Sequence, residues 1–313
     1  MPAMDFRQMH YIQTIAQEGT ISRAAQKLFI SQPSLSQLLR GVEQKVGAPL
    51  FDRGTSPLQP TAVGRLYLRM AAQMAQLRTD FQQQTDDLLH QSRGRVIIGS
   101  SPFRSAYLLA PFLPGLQACY PELEIQLKES TTRQLERLCL NGEVDFATSL
   151  APINTTRFAT RVLFQEEIVA VLPATHPLAK KYGLPTSPQA DLPEIALAEL
   201  ADTPFIQIHQ EQKLHAQILS LCSEAGFTPR LLMTTSSLET AQALAGAGLG
   251  AALLPITQCR GFTPTTAPCY AALRQHPRRQ VLLCWRQGHY LPYAARTCIN
   301  ELTAFCLRNY PQE

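Results

Sequence analysis

Residues 19–53 read GTISRAAQKLFISQPSLSQLLRGVEQKVGAPLFDR, and this stretch decides the fold of the N-terminal part. It spells two short helices joined by a tight turn and followed by a compact wing. Ala24, Ala25 and Leu28 give the first helix an apolar face of small residues, and Phe29 and Ile30 make the turn. Ser31 then caps the second helix through its hydroxyl. Gln32 and Pro33 fall in that helix's first turn, where proline forfeits nothing because the N–H groups there have no intrahelical partner. Leu35, Leu38, Leu39, Val42 and Val46 recur at steps of three, one, three and four, a single core-facing stripe. Gly47 stops the helix. Two helices so spaced, with small alanines at their crossing, form a helix-turn-helix.

The opposite face of the second helix carries the chemistry. Gln32, Ser34, Ser36, Gln37 and Arg40 point away from the stripe, and each has hydrogen-bonding groups. Gln and Arg make bidentate pairs with base edges in the major groove, whereas hydroxyls and N–H groups at a helix start suit phosphates. On a lone helix such a face would be ordinary solvated surface. The paired helices, and Pro33 opening the second, favour reading of a duplex. The residues expected at a DNA interface are Ser22, Ser31, Gln32, Pro33, Ser34, Ser36, Gln37 and Arg40, with Arg53 of the wing on adjacent backbone.

The run from Met4 to Thr61 resembles the N-terminal domain of LysR-type transcriptional regulators. The matching stretches are DFRQMHYIQTIAQEGTISRAAQKL, then ISQPSLSQLLRGVE, the GAPLFDR of the wing, and the PTAVG that opens the next helix. The resemblance continues more weakly to the end of the chain. Two departures stand out: Gln37 sits where the family often has a cation, and GTSPLQ after Arg53 lacks extra basic residues. Both imply fewer phosphate contacts. The resemblance implies an operator on double-stranded DNA, a small-molecule effector, contact with RNA polymerase, and assembly as a homodimer or homotetramer.

The 313 residues suffice for two or three domains. No apolar run approaches a bilayer span, and the N-terminus lacks a basic-then-apolar secretory pattern, so a cytoplasmic protein without a membrane partner is expected. Residues 1–95 hold eleven Lys/Arg against seven Asp/Glu, while the remainder holds seventeen of each. All the excess positive charge therefore lies on the part with the helix-turn-helix, as a polyanion requires. The eight cysteines form neither a CxxC pair nor a His-Cys cluster at metal-ligand spacing. They read as reduced core thiols, so neither metal nor cofactor is expected. Cys259 and Cys269, ten residues apart, are the pair on which a thiol-based redox-sensing alternative would rest.

Pro60-Thr61 starts a long helix expected to reach about Gln91, with Thr61 as its cap. Val63, Leu66, Met70, Met74, Leu77, Phe81 and Leu88 recur at alternating three- and four-residue steps, interrupted by Gln84, and approximate a two-stranded coiled-coil seam. The outward positions carry many Gln and Arg residues, which favours a pairing helix over one buried in its own chain. Two winged modules related by that pairing would read two half-sites. Ser92-Arg93-Gly94 breaks the helix.

From Arg95 onward short apolar strands alternate with helices, the pattern of a parallel α/β sheet. Strands are expected at 95–100, 124–130, 144–150, 166–173, 204–209, 230–235, 250–255 and 280–285, with a final helix over 291–307. Two α/β lobes joined by two crossings, near residues 163–167 and 262–268, make a hinged clamshell. The expected fold is thus mixed: an N-terminal all-α winged helix-turn-helix over 1–61, a linker helix over 62–92, and a two-lobed α/β effector domain, like periplasmic binding proteins, over 93–313. Lobe I takes 93–164 and 267–313, and lobe II takes 165–266.

Ligands of open α/β sheets bind beyond the carboxyl ends of the strands. Four strand ends here pass into polar helix starts: Ser100-Ser101, Ser130-Thr131-Thr132, His209-Gln210 and Thr235-Ser236-Ser237. Each offers side-chain donors with free N–H groups, which suits an anion such as a small carboxylate. Ser100, Ser101, Phe103, Thr131, Thr132, His209, Gln210 and Ser236 are therefore the expected effector contacts, and Arg104 and Arg133 stand just inside two of the helices. Singly, each Ser or Thr is an ordinary cap; their recurrence at four equivalent points carries the reading. Neither GxSxG, HExxH nor a glycine-rich phosphate loop occurs, and GAGLG at 246–250 leads into a strand rather than out of one, so catalysis is not expected. A solute-binding transport protein would share the clamshell but would not need the N-terminal module.

Overall fold

The computed structural model describes residues 5–52, 54–89, 94–188 and 191–310. It divides into two compact units, Met1–Asp86 and Asp87–Glu313. The first begins with α1 (Phe6–Glu18), capped by Asp5 and ended by Gly19 at φ 68°. Next come α2 (Ile21–Lys27), whose cap Thr20 accepts from the Arg23 amide, and α3 (Gln32–Val46), capped by Ser31 and ended by Gly47 at φ 79°. The wing is a two-stranded antiparallel ribbon of β1 (Phe51–Asp52) and β2 (Gln59–Pro60).

Ile12, Ile15, Ala24, Ala25, Leu35, Leu39, Val42 and Leu50 form the centre of one core. Val46, expected in the same stripe, is instead 37% exposed, because the last turn of α3 runs past the core it packs on. The long helix α4 (Ala62–Leu89) adds Tyr67 and Ala71 to that core. A Cβ on Gly64 would stand 1.9 Å from the Leu50 carbonyl oxygen, so the root of the wing abuts α4 where only glycine fits. Thr61 performs the capping expected of it: its hydroxyl accepts from the Gly64 amide at 2.9 Å.

The second unit contains β3 (Gly94–Ser100), a helical run and β4 (Leu123–Glu129). The run consists of α5 (Pro102–Arg104), a π-helical turn over Ser105–Leu109, and α6 (Ala110–Cys119). After α7 (Thr132–Leu140) and β5 (Phe146–Leu150) comes β6 (Phe158–Leu172), fifteen residues long. Then follow α8 (Pro177–Tyr182), β7 (Glu194–Ile195), β8 (Pro204–Ile208), α9 (Lys213–Glu224), β9 (Arg230–Thr235) and α10 (Leu238–Gly246). The chain closes with β10 (Ala252–Pro255), α11 (Ile256–Gly261), β11 (Cys269–Leu273), β12 (Arg278–Arg286) and α12 (Tyr293–Asn309).

The main sheet runs β4-β3-β5-β12-β6-β11-β7, with β10 also on β6, and β8 and β9 pair beside it. β3, β4 and β5 are mutually parallel, whereas β12 lies antiparallel to both β5 and β6. Separate apolar cores make two lobes. Val96, Ile98, Leu163, Phe164, Val281 and Ile299 belong to one, and Ile168–Leu172, Ile195, Phe205, Ile218 and Leu254 to the other. β6 is thus shared, handing over between Phe164 and Ile168. This strand starts eight residues before the expected 166, because Arg161 and Gln165 on its more open half break the apolar run. The second crossing also differs from expectation. β11 pairs with the lobe II half of β6 and with β7, so the chain returns over 274–277 and not over 262–268. Residues 267–273 accordingly pack with lobe II.

Candidate DNA interface and inter-lobe cleft

On α3 the chemistry follows from the packing. With Leu35, Leu39 and Val42 buried, Gln32, Pro33, Ser34, Gln37 and Arg40 are exposed and Ser36 half-buried. The Ser31 hydroxyl lies 2.7 Å from that of Ser34 and accepts from the Ser34 amide, and the Gln32 amide nitrogen donates to Ser36 at 3.0 Å. These contacts hold the polar side chains along one edge of the helix. Ser22 is exposed at the start of α2. Arg53 lies outside the described residues. The turn before α3 holds Phe29 at φ 55° with 95% of its surface exposed.

Between the lobes of the second unit lies a cavity of about 480 Å³. Ser101, Phe103, Thr131, Thr132 and Ser236 line it, whereas Ser100, His209 and Gln210 do not. Ser100 is fully buried and pairs with the Thr148 hydroxyl at 3.3 Å. His209 and Gln210 are exposed, because β8 ends at Ile208 and α9 begins only at Lys213. Gln212 and Lys213 occupy that wall in their place. The hydroxyls of Ser101, Thr131 and Ser237 cap their own helices, accepting from the amides of Arg104, Gln134 and Thr240. Arg133 is exposed and off the cavity, while Arg104 lines it but is buried.

Arg104 is committed to Glu166, which is fully buried. Glu166 accepts from Arg104, from the Arg279 Nε at 2.6 Å and from the Thr257 hydroxyl. Burial alone would raise its pKa; the two guanidinium groups and these hydrogen bonds outweigh that and hold it at about 2. The cluster joins α5 of lobe I, α11 of lobe II and both crossing strands, since Arg279 on β12 sits directly opposite Glu166 on β6. Two further contacts span the lobes. Lys213 of α9 donates to the Leu150 and Pro152 carbonyls at 2.7 and 2.8 Å and pairs with Glu136 at 2.6 Å. Tyr107 donates to Glu239 at 2.7 Å, and burial together with that carboxylate pushes its pKa to about 12.

A second cavity of about 610 Å³ shares Arg104 with the first. On its rim His276 bridges Glu167 at 2.9 Å and Glu194 at 3.1 Å, and those two carboxylates raise its pKa. Among the described residues no His/Cys/Asp/Glu cluster fit for a metal ion occurs. Cys259 and Cys269 are buried free thiols, and burial pushes both pKa values up. No helix among the described residues is long and apolar enough to cross a membrane.

Glu166, Lys213 and Arg279 escaped the sequence reading. A signal existed for two of them: Glu166-Glu167 heads one apolar run and Arg278-Arg279 heads another. Antiparallel pairing sets the two doublets face to face.

A winged helix-turn-helix, a long helix and a two-lobed α/β domain define the DNA-binding transcriptional regulators of bacteria that carry a substrate-binding domain. Residues 6–65 match the lysR-family bacterial regulatory helix-turn-helix protein, and residues 89–306 match the LysR substrate binding domain. The chain belongs to the LysR family. It is 29% identical over 305 residues to the HTH-type transcriptional regulator YcgK of Bacillus subtilis (strain 168), covering 94% of this chain and 92% of that one. Among solved structures it resembles CbnR in complex with its target DNA, with a TM-score of 0.63, 18% identity, and coverage of 97% of this chain and 100% of that one. It also resembles a Corynebacterium glutamicum OxyR C206 mutant, with a TM-score of 0.60, 25% identity, and coverage of 97% and 92%.

Proposed function

We propose that this regulator reads a partly palindromic operator through residues 31–40 of α3, as a homodimer or a tetramer built from such dimers. A small anionic effector in the inter-lobe cleft controls its output to RNA polymerase. The observation that carries the reading is the division of α3 into a buried edge of Leu35, Leu39 and Val42 and an uncovered edge of Gln32, Ser34, Gln37 and Arg40. Gln32 and Arg40 supply base-edge chemistry, Ser22, Ser31, Ser34 and Ser36 supply phosphate ligands, and Pro33 sets the start of the helix at the groove. Arg53 of the wing supplies adjacent backbone contact.

In the cleft, Ser101, Phe103, Thr131, Thr132 and Ser236 surround the ligand, and Ser100 supports them from beneath. His209 and Gln210 stay at the surface, so Gln212 and Lys213 take their part. An effector shifts the lobe arrangement only by its differential affinity for the two arrangements. The buried Cys259 and Cys269 favour ligand control over thiol chemistry.

The test measures binding to the intergenic DNA beside the protein's own gene and to scrambled DNA of equal length. Replacing Gln32 and Ser34 together by Ala is expected to cut the ratio of the two affinities by about tenfold or more, since a bidentate base pair is worth about 1–3 kcal/mol of discrimination. Equal losses on both DNAs would refute base reading by α3.

A further inference from the structure

The cleft's polar groups set one cation with free donors beside one carboxylate oxygen open to a donor. Arg279 is only 5% exposed along its side chain, and its Nε is used by Glu166. Among the described residues nothing accepts from its two terminal nitrogens, and these are not sealed from the cavity it lines. Two guanidinium groups share the single carboxylate of Glu166, which leaves one positive charge in excess on this floor. A planar fork with both ends free matches one partner best, the two oxygens of a carboxylate.

One acceptor on the cavity is open to a donor. Glu239, in the first turn of α10, gives one oxygen to Tyr107; no described residue donates to the other.

We propose that the effector is an amino acid, bound as its zwitterion, with the carboxylate on the Arg279 fork and the ammonium on the Glu239 side. A simple carboxylate would satisfy Arg279 but would bring no donor to Glu239 and would add repulsion there. An amine alone would leave the fork bare. This inference rests on the cleft being the effector site, as proposed above.

Thermal unfolding of the full-length protein tests it, with a panel of the proteinogenic L-amino acids. Each is run beside its des-amino carboxylate and its decarboxylated amine. At least one amino acid is expected to raise the midpoint in a saturable, concentration-dependent way, and its two partial analogues are expected to need about tenfold more or to fail. Glu239→Gln, which keeps an oxygen for Tyr107, is expected to erase the preference for the amino acid over its des-amino carboxylate. Arg279→Gln is expected to abolish both. If no amino acid shifts the midpoint, or if a des-amino carboxylate binds as well as its amino acid, the zwitterion proposal is overturned while the cleft remains the effector site. If an amino acid binds but neither substitution alters it, the ligand lies outside the cleft and the reading beneath this one fails as well.

Discussion

Phe29 pays twice for its position. Its φ of 55° is a left-handed backbone that an L-residue with a large side chain adopts at a cost of about 1–2 kcal/mol, and 95% exposure of the residue leaves no burial to offset it. Asn tolerates that conformation far better. Phe29→Asn is expected to stabilise the first unit by about 1 kcal/mol, a rise of roughly 4–8 °C in its unfolding midpoint by calorimetry. A lowered midpoint would mean that the aromatic ring is held by something other than solvent. The sequence placed the turn at Phe29 and Ile30 but not its handedness, because nothing in a phenylalanine announces a positive φ. The same limit applied at Arg279. Its residue type was visible, but its partner Glu166 lies 113 positions away, and only the pairing of β6 with β12 brings them together.

Among the elements, α4 was legible because its signal is periodic and local. Steps of three and four marked a seam, and along it Leu66, Leu77, Phe81 and Leu88 are 53, 67, 72 and 78% exposed within one chain, whereas Tyr67 and Ala71 on the adjoining face are buried. In the proposed homodimer a second copy would cover this stripe. Replacing Leu77 and Phe81 by Glu is expected to move the protein to a smaller species in sedimentation while its circular dichroism holds. An unchanged mass would assign assembly to another surface. The strands were legible where apolar runs were short and bounded by turns, as at β3, β5 and β9. β6 was half legible, since one half is buried on both faces while the other carries polar residues. The polar helix starts were found, yet Ser100 at the first and both His209 and Gln210 at the third lie off the cavity. The connection between Ile208 and Lys213 is four residues of unpatterned sequence, and the direction of such a loop is set by packing.

At the scale of the whole second unit, Glu166 ties together both lobes and both crossing strands, so its titration acts on all four. Its folded pKa of about 2 lies below the ordinary value of 4.5. A depressed carboxylate contributes stability that is complete above the ordinary value and drains as pH falls through the folded one. The second unit is therefore expected to lose stability steeply between pH 4.5 and 2. Glu166→Gln should flatten that slope and cost about 3–5 kcal/mol at neutral pH, because two buried guanidinium groups would lose their counter-charge. Urea titrations at several pH values measure both, and an unaltered acid slope in the variant would place the acid sensitivity elsewhere. The shared strand β6 has a different consequence, one for how the gene can change. Side chains alternate faces along a strand, so one codon gained or lost between Phe164 and Ile168 would turn every later side chain of β6 onto the opposite face. Loops elsewhere in the unit can grow or shrink by a residue with local effects. This strand cannot, and its length is frozen while those of the surrounding loops remain free to drift.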